Sequence, residues 1–559
     1  MKKPPVKNPK TAGKLPAATF ESRFNNTLFS ILVLASLTFV VYSRTLLFDY
    51  TKLDDSIFIV ENASYNADAH NIAVSFQRGL FNPTRDVYYR PVFLVDFILE
   101  SRLFGVKPAG YHFTNLLFHI LSVCLLFLFL KKIRIPPADS FLLSLLFALH
   151  PVLTQAVAWI PGRNDMLLMI FFLTAFILLM RYLEKPSPGT LSLHVLALLA
   201  ALFTKETAII IPVIMVIFSL ICLKSGWKKL LLPMAGWIAA TAIWMLVRST
   251  ATLSKDWTTP VNMLQTGLGR MGVIVQYVGK IFIPVNLTVF PETGDITMIW
   301  GFVAIAGLIA LVVYSKSYSK PLTWLGLGWF ILFLIPVLIV PKSLNDQVFE
   351  HRLYLPMIGI LLMLSQTIPF GKTLEPGKKL AVVAAIVILF SLQSFVRSAY
   401  FSDPLTFWTH AVEGSPHSAF ARTLLGTKVE DPADRERLFR EAYRLDPNMK
   451  NLNYYLGKVL FSKHQSDSAE YYFRKELLHN PLPDVYFLMA QIAFERNSLD
   501  SAAVNLVKTI EMDPLNPQAN HNLALLYHQQ GHDDKLRQLL QDMQMKGMAV
   551  DEDLLKLVK

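Results

Sequence analysis

An acidic pair, Asp54-Asp55, follows closely on the first long hydrophobic stretch of the chain. A carboxylate at a water–lipid boundary is costly to hold there and points to function. The chemistry it suits is proton abstraction, since a hydroxyl that attacks carbon needs a base within hydrogen-bond reach. The same residues also read as a polar turn or as the N-cap of the next helix. Polar groups recur at the ends of later apolar stretches: Tyr88-Tyr89-Arg90-Pro91, Tyr111-His112, Arg163-Asn164-Asp165, Lys205-Glu206 and Glu350-His351-Arg352. Arginine and lysine in such places suit a phosphate, which takes forked hydrogen bonds from a guanidinium. Taken singly, each also reads as an interfacial side chain reaching for water, and Lys205-Glu206 as a local ion pair. His150, before Pro151 inside an apolar run, reads as a hydrogen-bonded packing histidine rather than a catalyst.

The elements that must position these groups are membrane spans. The 559 residues are 53% hydrophobic and only 17% charged, where an ordinary soluble domain has about a quarter charged. The net charge of +12 does not gather on one basic face, as a nucleic-acid partner would require; it lies between apolar runs and reports topology. Cys124 and Cys222 both lie inside apolar runs, giving neither a disulfide framework nor metal-ligand spacing. Residues 1–26 form a basic tail expected in the cytoplasm, followed by a first span that is too long for a signal peptide's apolar region. Further spans fall near residues 112–130, 139–159, 165–182, 191–203, 207–223, 230–247, 298–314, 322–340, 355–370 and 380–395. Residues 270–284, interrupted by Gln276, Gly279 and Lys280, are ambiguous. If they do not cross, every short basic loop falls on one side, which favours about eleven spans and an extracytoplasmic carboxyl-terminal part.

After the last span a period of about 34 residues appears, with Gly457, Ala490 and Ala524 at equivalent small positions and Pro447, Pro481 and Pro514 closing successive units. This is the pattern of tetratricopeptide repeats, whose paired helices build a solenoid that binds peptides or proteins on its concave face. Tyr455 and Asn522 are expected on that face. The predicted fold is therefore mostly α: a polytopic membrane bundle over residues 27–397, with a first outer loop at 49–111, and a repeat solenoid over 398–559.

Phe48-Asp49-Tyr50 leading to Asp54-Asp55, then Tyr89-Arg90-Pro91, His150-Pro151, Gly162-Arg163-Asn164-Asp165, Lys205-Glu206 and Glu350-His351-Arg352-Leu353-Tyr354-Leu355-Pro356, come in a recognisable order. With the repeats that follow, the chain resembles the transmembrane and tetratricopeptide-repeat-containing O-mannosyltransferases and their bacterial relatives, within the C-type glycosyltransferase (GT-C) superfamily. Its tail of about four repeats is shorter than in animal members, which favours a bacterial relative.

The resemblance implies transfer of a sugar from a polyprenyl-phosphate carrier to a protein hydroxyl on the extracytoplasmic side of an integral membrane protein. That side is the periplasm in a bacterium or the lumen of the endoplasmic reticulum in a eukaryote. It implies a catalytic carboxylate in the first outer loop, matched by Asp54, with Asp55 orienting the acceptor or sharing the role. Arg352, Arg163, His351, Lys205 and Arg90 are the candidate ligands of the donor phosphate, and Tyr89, Asp165, Glu206 and Glu350 are further site candidates. No metal or other cofactor is required, because these cations supply the charge stabilisation a divalent ion would give, although Asp54 and Asp55 leave room for one. The expected partners are the lipid-linked sugar, membrane lipids and an acceptor protein held by the repeats. Competing readings are an oligosaccharyltransferase or ligase using a polyprenyl-diphosphate glycan, and a non-catalytic scaffold for cell-envelope assembly.

Overall fold

A computed structural model describes residues 24–81, 86–252, 260–315, 319–340, 347–367, 376–550 and 552–556. The basic tail up to residue 23, residues 316–318 and residues 368–375 lie outside these, and with them much of the basic loops at 316–320 and 372–379. The described residues are helical, with one isolated antiparallel bridge between Glu292 and Gln347. Two compact units divide between His410 and Ala411. The boundary falls beyond residue 397 because Phe401, Phe407 and Trp408 pack together and Trp408 packs on Phe290 at 5.6 Å, tying these residues to the first unit.

In the first unit, six described helices are long and apolar enough to cross a membrane: Thr27–Leu47, Pro108–Lys132, Ile160–Glu184, Trp227–Ala251, Lys320–Leu338 and Gly377–Phe401. A seventh candidate is a pair, Pro137–Ala148 and Pro151–Ala158, bent by 50°. Four shorter apolar helices accompany them: Pro188–Thr204, Glu206–Ile221, Gly272–Phe282 and Ile299–Tyr314. Gly272–Phe282, the ambiguous segment, has 11 residues. That is about 16 Å of helix, half the thickness of a hydrocarbon core, so it does not cross alone. Within the expected span at 355–370, the helix Pro356–Leu364 has only nine residues and is buried almost throughout.

The second unit is a stack of helix pairs, among them Leu452–Ser462 with Ser466–Leu477 and Pro483–Glu495 with Leu499–Met512. Its small positions have a direct steric cause. A Cβ on Gly457 would sit 2.4 Å from the Phe473 ring, and one on Gly426 2.4 Å from the Phe439 ring. Tyr455, on the first helix of its repeat, is half-buried, its ring stacked on Phe439 at 5.5 Å. Tyr454 is the neighbour that reaches across the open side, its hydroxyl 3.5 Å from Asp484 on the first helix of the next repeat.

The bent pair breaks at Leu149-His150-Pro151, where proline cannot donate a helical hydrogen bond. Carbonyls freed at such a break need partners, because hydrocarbon offers none. His119 donates from Nε2 to the Ala148 carbonyl (2.9 Å) and accepts at Nδ1 from the Tyr354 hydroxyl (2.7 Å). Ser394 takes the Leu149 carbonyl and Arg397 the Pro151 carbonyl. His150 itself bonds the Ile281 carbonyl through Nε2 at 2.9 Å and accepts the Val152 amide, the packing role expected of it. At the far end Asn115 Nδ2 contacts the carbonyls of Val157, Trp159 and Ile160.

The loop at 49–111 carries its own helix, Pro91–Phe104, and Arg163 fastens it to the bundle. Its Nη1 contacts Asp96 (2.7 Å) and Glu100 (2.6 Å), Nε donates to Asn115 (2.7 Å), and Nη2 donates to the Tyr111 carbonyl (2.7 Å) and Thr114 (3.1 Å). The side chain has 0% exposure and is not among the residues that line the polar cavity described below. Expected to bind phosphate, Arg163 has no donor left to offer, since all five N–H groups are spent inside the fold. Replacing it by alanine strands two buried carboxylates, which typically costs about 3–5 kcal/mol. Arg163→Ala should therefore lower the thermal unfolding midpoint of the purified protein markedly, while donor affinity per folded molecule is unchanged. A selective loss of donor affinity at full stability would return Arg163 to the site.

Candidate active site

A cavity of about 400 Å³ opens between the loop at 49–111 and the ends of several apolar helices. Its polar wall holds Asp54, Tyr88, Arg90, Asn164, Asp165, Lys205, Glu206, His351 and Arg352; its apolar wall includes Ile209, Ile210, Trp244, Phe333, Ile335, Pro336, Ile339, Val340 and Leu355. Motifs spread over some 300 residues of sequence thus meet on one space.

The acidic pair separates into two roles. Asp55 is buried, and its carboxylate accepts the Thr51 amide (2.6 Å), the Thr51 hydroxyl (2.9 Å) and the Ser56 amide (2.9 Å). It caps the turn and lines no cavity, so the shared catalytic role expected of it is not supported by its position. That local cap holds the neighbouring Asp54 at the cavity wall. Burial, with Asp55 alongside, pushes the Asp54 pKa up to about 7, against the opposing pull of Arg90.

Arg90 and Lys205 enter as ion pairs that cross between loops. Arg90 Nε lies 3.0 Å from Glu206 Oε2, whose other oxygen accepts the Tyr89 amide at 2.8 Å. Lys205 Nζ lies 2.7 Å from both oxygens of Asp165 and 3.0 Å from Asn164 Oδ1. Lys205 and Glu206, adjacent in sequence, therefore pair with different elements rather than with each other. Tyr89 is buried, its hydroxyl given to the Phe76 carbonyl; it is Tyr88 that faces the cavity, under the Arg90 guanidinium at 4.9 Å.

On the opposite side, the Glu350–Leu353 turn is held by Gln155 from the bent pair. Gln155 Oε1 accepts the amides of Glu350 (2.9 Å) and His351 (3.2 Å), and Nε2 donates to the Val289 carbonyl (2.9 Å). Glu350 has 0% exposure and pairs with Lys280 at 2.7 Å and with Arg397. It is a buried structural anion rather than the site group expected. His351 does line the cavity, but burial, aided by Lys205, Arg352 and Arg90, pushes its pKa well below the usual value. It is therefore a neutral hydrogen-bonding ring, not the cation expected. Arg352 donates to the Gln347 carbonyl (2.7 Å) and lies over Phe349, and it pairs with no carboxylate among the described residues. Sequence reasoning missed Gln155, Trp159, Trp244 and Arg248; the last three line the cavity from helices or their ends. Among the described residues no three His, Cys, Asp or Glu side chains gather as a metal site.

Bundle, repeats and cavity define a polytopic helical membrane protein with a polar pocket, an apolar flank and a solenoid tail. The chain is homologous to the TMTC-type protein O-mannosyl-transferases. The protein O-mannosyl-transferase F38B6.6 of Caenorhabditis elegans is 26% identical over 451 residues, 75% of this chain and 63% of that protein. Human TMTC3 is 22% identical over 480 residues, 76% and 52%, and human TMTC4 is 25% identical over 486, 73% and 65%. The chain thus spans between about half and two thirds of the length of these curated relatives. No family model matches it. Among solved structures, ArnT from Cupriavidus metallidurans bound to undecaprenyl phosphate aligns over 82% of this chain and 80% of that one, at 16% identity and a TM-score of 0.40; a likeness that distant carries no argument.

If Asp54 acts as a base, its ionised form must dominate, so activity falls as pH drops through about 7. Arg90 favours the ionised form, and removing it also leaves Glu206 unneutralised nearby. Both effects raise the Asp54 pKa. Arg90→Gln should therefore move the acid limb of the kcat/KM profile to higher pH, losing more activity at pH 6 than at pH 8. An acid limb that stays in place would show that Asp54 is not the titrating group.

Proposed function

We propose that the chain is a membrane-embedded glycosyltransferase that moves a sugar from a polyprenyl-phosphate carrier to serine or threonine hydroxyls of proteins. The observation that carries this reading is the meeting of Asp54, Arg352, which pairs with no carboxylate among the described residues, and an apolar flank in one cavity. An acceptor hydroxyl gives its proton to Asp54 as its oxygen bonds to the anomeric carbon. The bond from that carbon to the phosphate oxygen breaks on the opposite face, which inverts the configuration. The lipid phosphate leaves with its charge met by Arg352, a preplaced donor. Arg90 and Lys205 already face carboxylates, which fits one phosphate better than a diphosphate. The names of the relatives support a protein acceptor and point to mannose. The positive-inside pattern supports an extracytoplasmic site.

Two variants separate the roles. Asp54→Asn should cut kcat for transfer by about 10²–10⁴-fold with donor binding retained. Arg352→Ala should raise the donor KM by about 10–100-fold, the worth of a charge-assisted phosphate contact, and Arg352→Lys should restore only part because it lacks the fork. Full transfer by Asp54→Asn would sink the base assignment, and unchanged donor kinetics in Arg352→Ala would sink the phosphate site.

The repeats are read as the acceptor-capturing part. Binding that acts equally on ground and transition states changes KM rather than kcat. Tyr454→Ala with Lys458→Ala, on the exposed side of their helix, should raise KM for a folded protein acceptor several-fold. Transfer to a short peptide should be unaffected. Equal losses with both acceptors would mean that the tail supports the fold and does not recruit.

A further inference from the structure

Trp159 ends the short helix Thr154–Ala158. Its backbone is fixed on both sides, the amide by the Gln155 carbonyl at 3.1 Å and the carbonyl by Asn115 at 3.2 Å. The side chain is 5% exposed and contributes to the cavity wall. Its indole Nε1–H is buried with no hydrogen-bond partner among the described residues. Buried indole donors ordinarily find an acceptor, so an unpaired one on a residue of the cavity wall points to an acceptor carried by a ligand. The Trp244 indole N–H is open in the same way, so this feature does not decide alone. The surroundings do. Trp244 lies against Arg248 and the apolar flank, whereas Trp159 belongs to a row of flat rings. It lies 6.1 Å from Phe349 at an interplanar angle of 20° and 5.3 Å from His351, and these two stack on each other at 5.3 Å. All three line the cavity together with Asp165.

A pyranose ring presents an apolar C–H face and an equator of hydroxyls that both donate and accept. Aromatic rings in the wall suit the first, and an unpaired N–H with a carboxylate lining the same cavity suits the second. A polyprenyl tail has no acceptor for the N–H at all. We propose that Trp159, Phe349 and His351 form the subsite for the sugar ring of the donor, with Trp159 Nε1–H donating to a ring hydroxyl. The inference rests on the lipid-linked donor proposed above and adds where the sugar sits and which residue selects for it.

The test uses the full chain in nanodiscs and measures binding of undecaprenyl phosphate and of its mannosyl, glucosyl and galactosyl esters. The wild type should hold at least one sugar-bearing lipid more tightly than the bare phosphate. Trp159→Phe keeps a ring and removes the N–H. It should weaken that sugar lipid by about tenfold, the scale of one lost hydrogen bond, and leave the bare lipid unchanged, which also reports intact folding. Trp159→Ala should lose more. If Trp159→Phe keeps the full preference, or weakens bare and sugar lipids alike, the subsite is refuted; the second result would place the N–H on the phosphate or in the scaffold. A wild type that binds the bare lipid but prefers no sugar ester also refutes the subsite while leaving the donor class standing. A wild type that binds none of the lipids refutes the donor class itself.

Discussion

Everything at the cavity depends on a helix that is broken where the surroundings are too apolar to tolerate it. Interrupting the ladder at Leu149-His150-Pro151 leaves carbonyls without intrahelical partners, and each would cost about 1–3 kcal/mol if left unpaired. The bundle answers with side chains from distant positions: His119 and Ser394 at the break, Asn115 at its far end, while Arg397 adds a second donor to the Pro151 carbonyl that already accepts the Thr154 amide. Because these partners are specific in place and direction, the bent pair has one position. That position presents Gln155 to the Glu350–Leu353 turn and sets Trp159 on the cavity wall. Arg397 also neutralises Glu350, so one residue stabilises both the break and the turn that carries His351 and Arg352.

A second constraint is charge. A low-dielectric pocket cannot hold several like charges without counterions, and Arg90, Lys205 and Arg352 all line this one. Glu206 and Asp165 neutralise two of them and at the same time link separate loops. Glu206 holds both the amide and the guanidinium of the Tyr89-Arg90 segment, which belongs to the same outer loop as Asp54. The pairs therefore serve as geometry as much as neutralisation: if Glu206 shifted, the charge that tempers Asp54 would shift with it.

Much of this was legible in the sequence, and for identifiable reasons. Spans announce themselves through length and apolarity, repeats through a period of small residues and prolines, and the positions of site motifs through polar residues at the ends of apolar runs. The direction of a side chain at such a position is not encoded locally. Arg163 and Arg352 look alike in sequence, each beside a span end. One lies inside a cage of Asp96, Glu100 and Asn115, and the other faces the cavity. Their difference is set by residues 48 or more positions away. Asp55 and Tyr89 turn inward for the related reason that neighbours in a turn point to opposite sides. Gln155, Trp159 and Trp244 left no signal, since an amide or an indole inside an apolar stretch is indistinguishable from ordinary packing until the cavity is seen.

The protonation of Asp54 follows from the same architecture. A carboxylate fully open to water would remain ionised at neutral pH and be a weak base, with little tendency to take a proton from an alcohol. One sealed among apolar groups would be protonated and useless. Asp54 stands between these limits: burial and Asp55 raise its pKa, Arg90 lowers it, and the outcome is about 7. A base near ambient pH combines an adequate ionised fraction with the greatest affinity for the proton it must accept. Closure by a bound donor would remove further water and raise the pKa again, while a phosphate anion held by Arg352 would act in the same direction. The ion pair between Arg90 and Glu206 therefore does more than join two loops. It sets how much of the Arg90 field reaches Asp54, and so how far the carboxylate is ionised, on which the proposed base role depends.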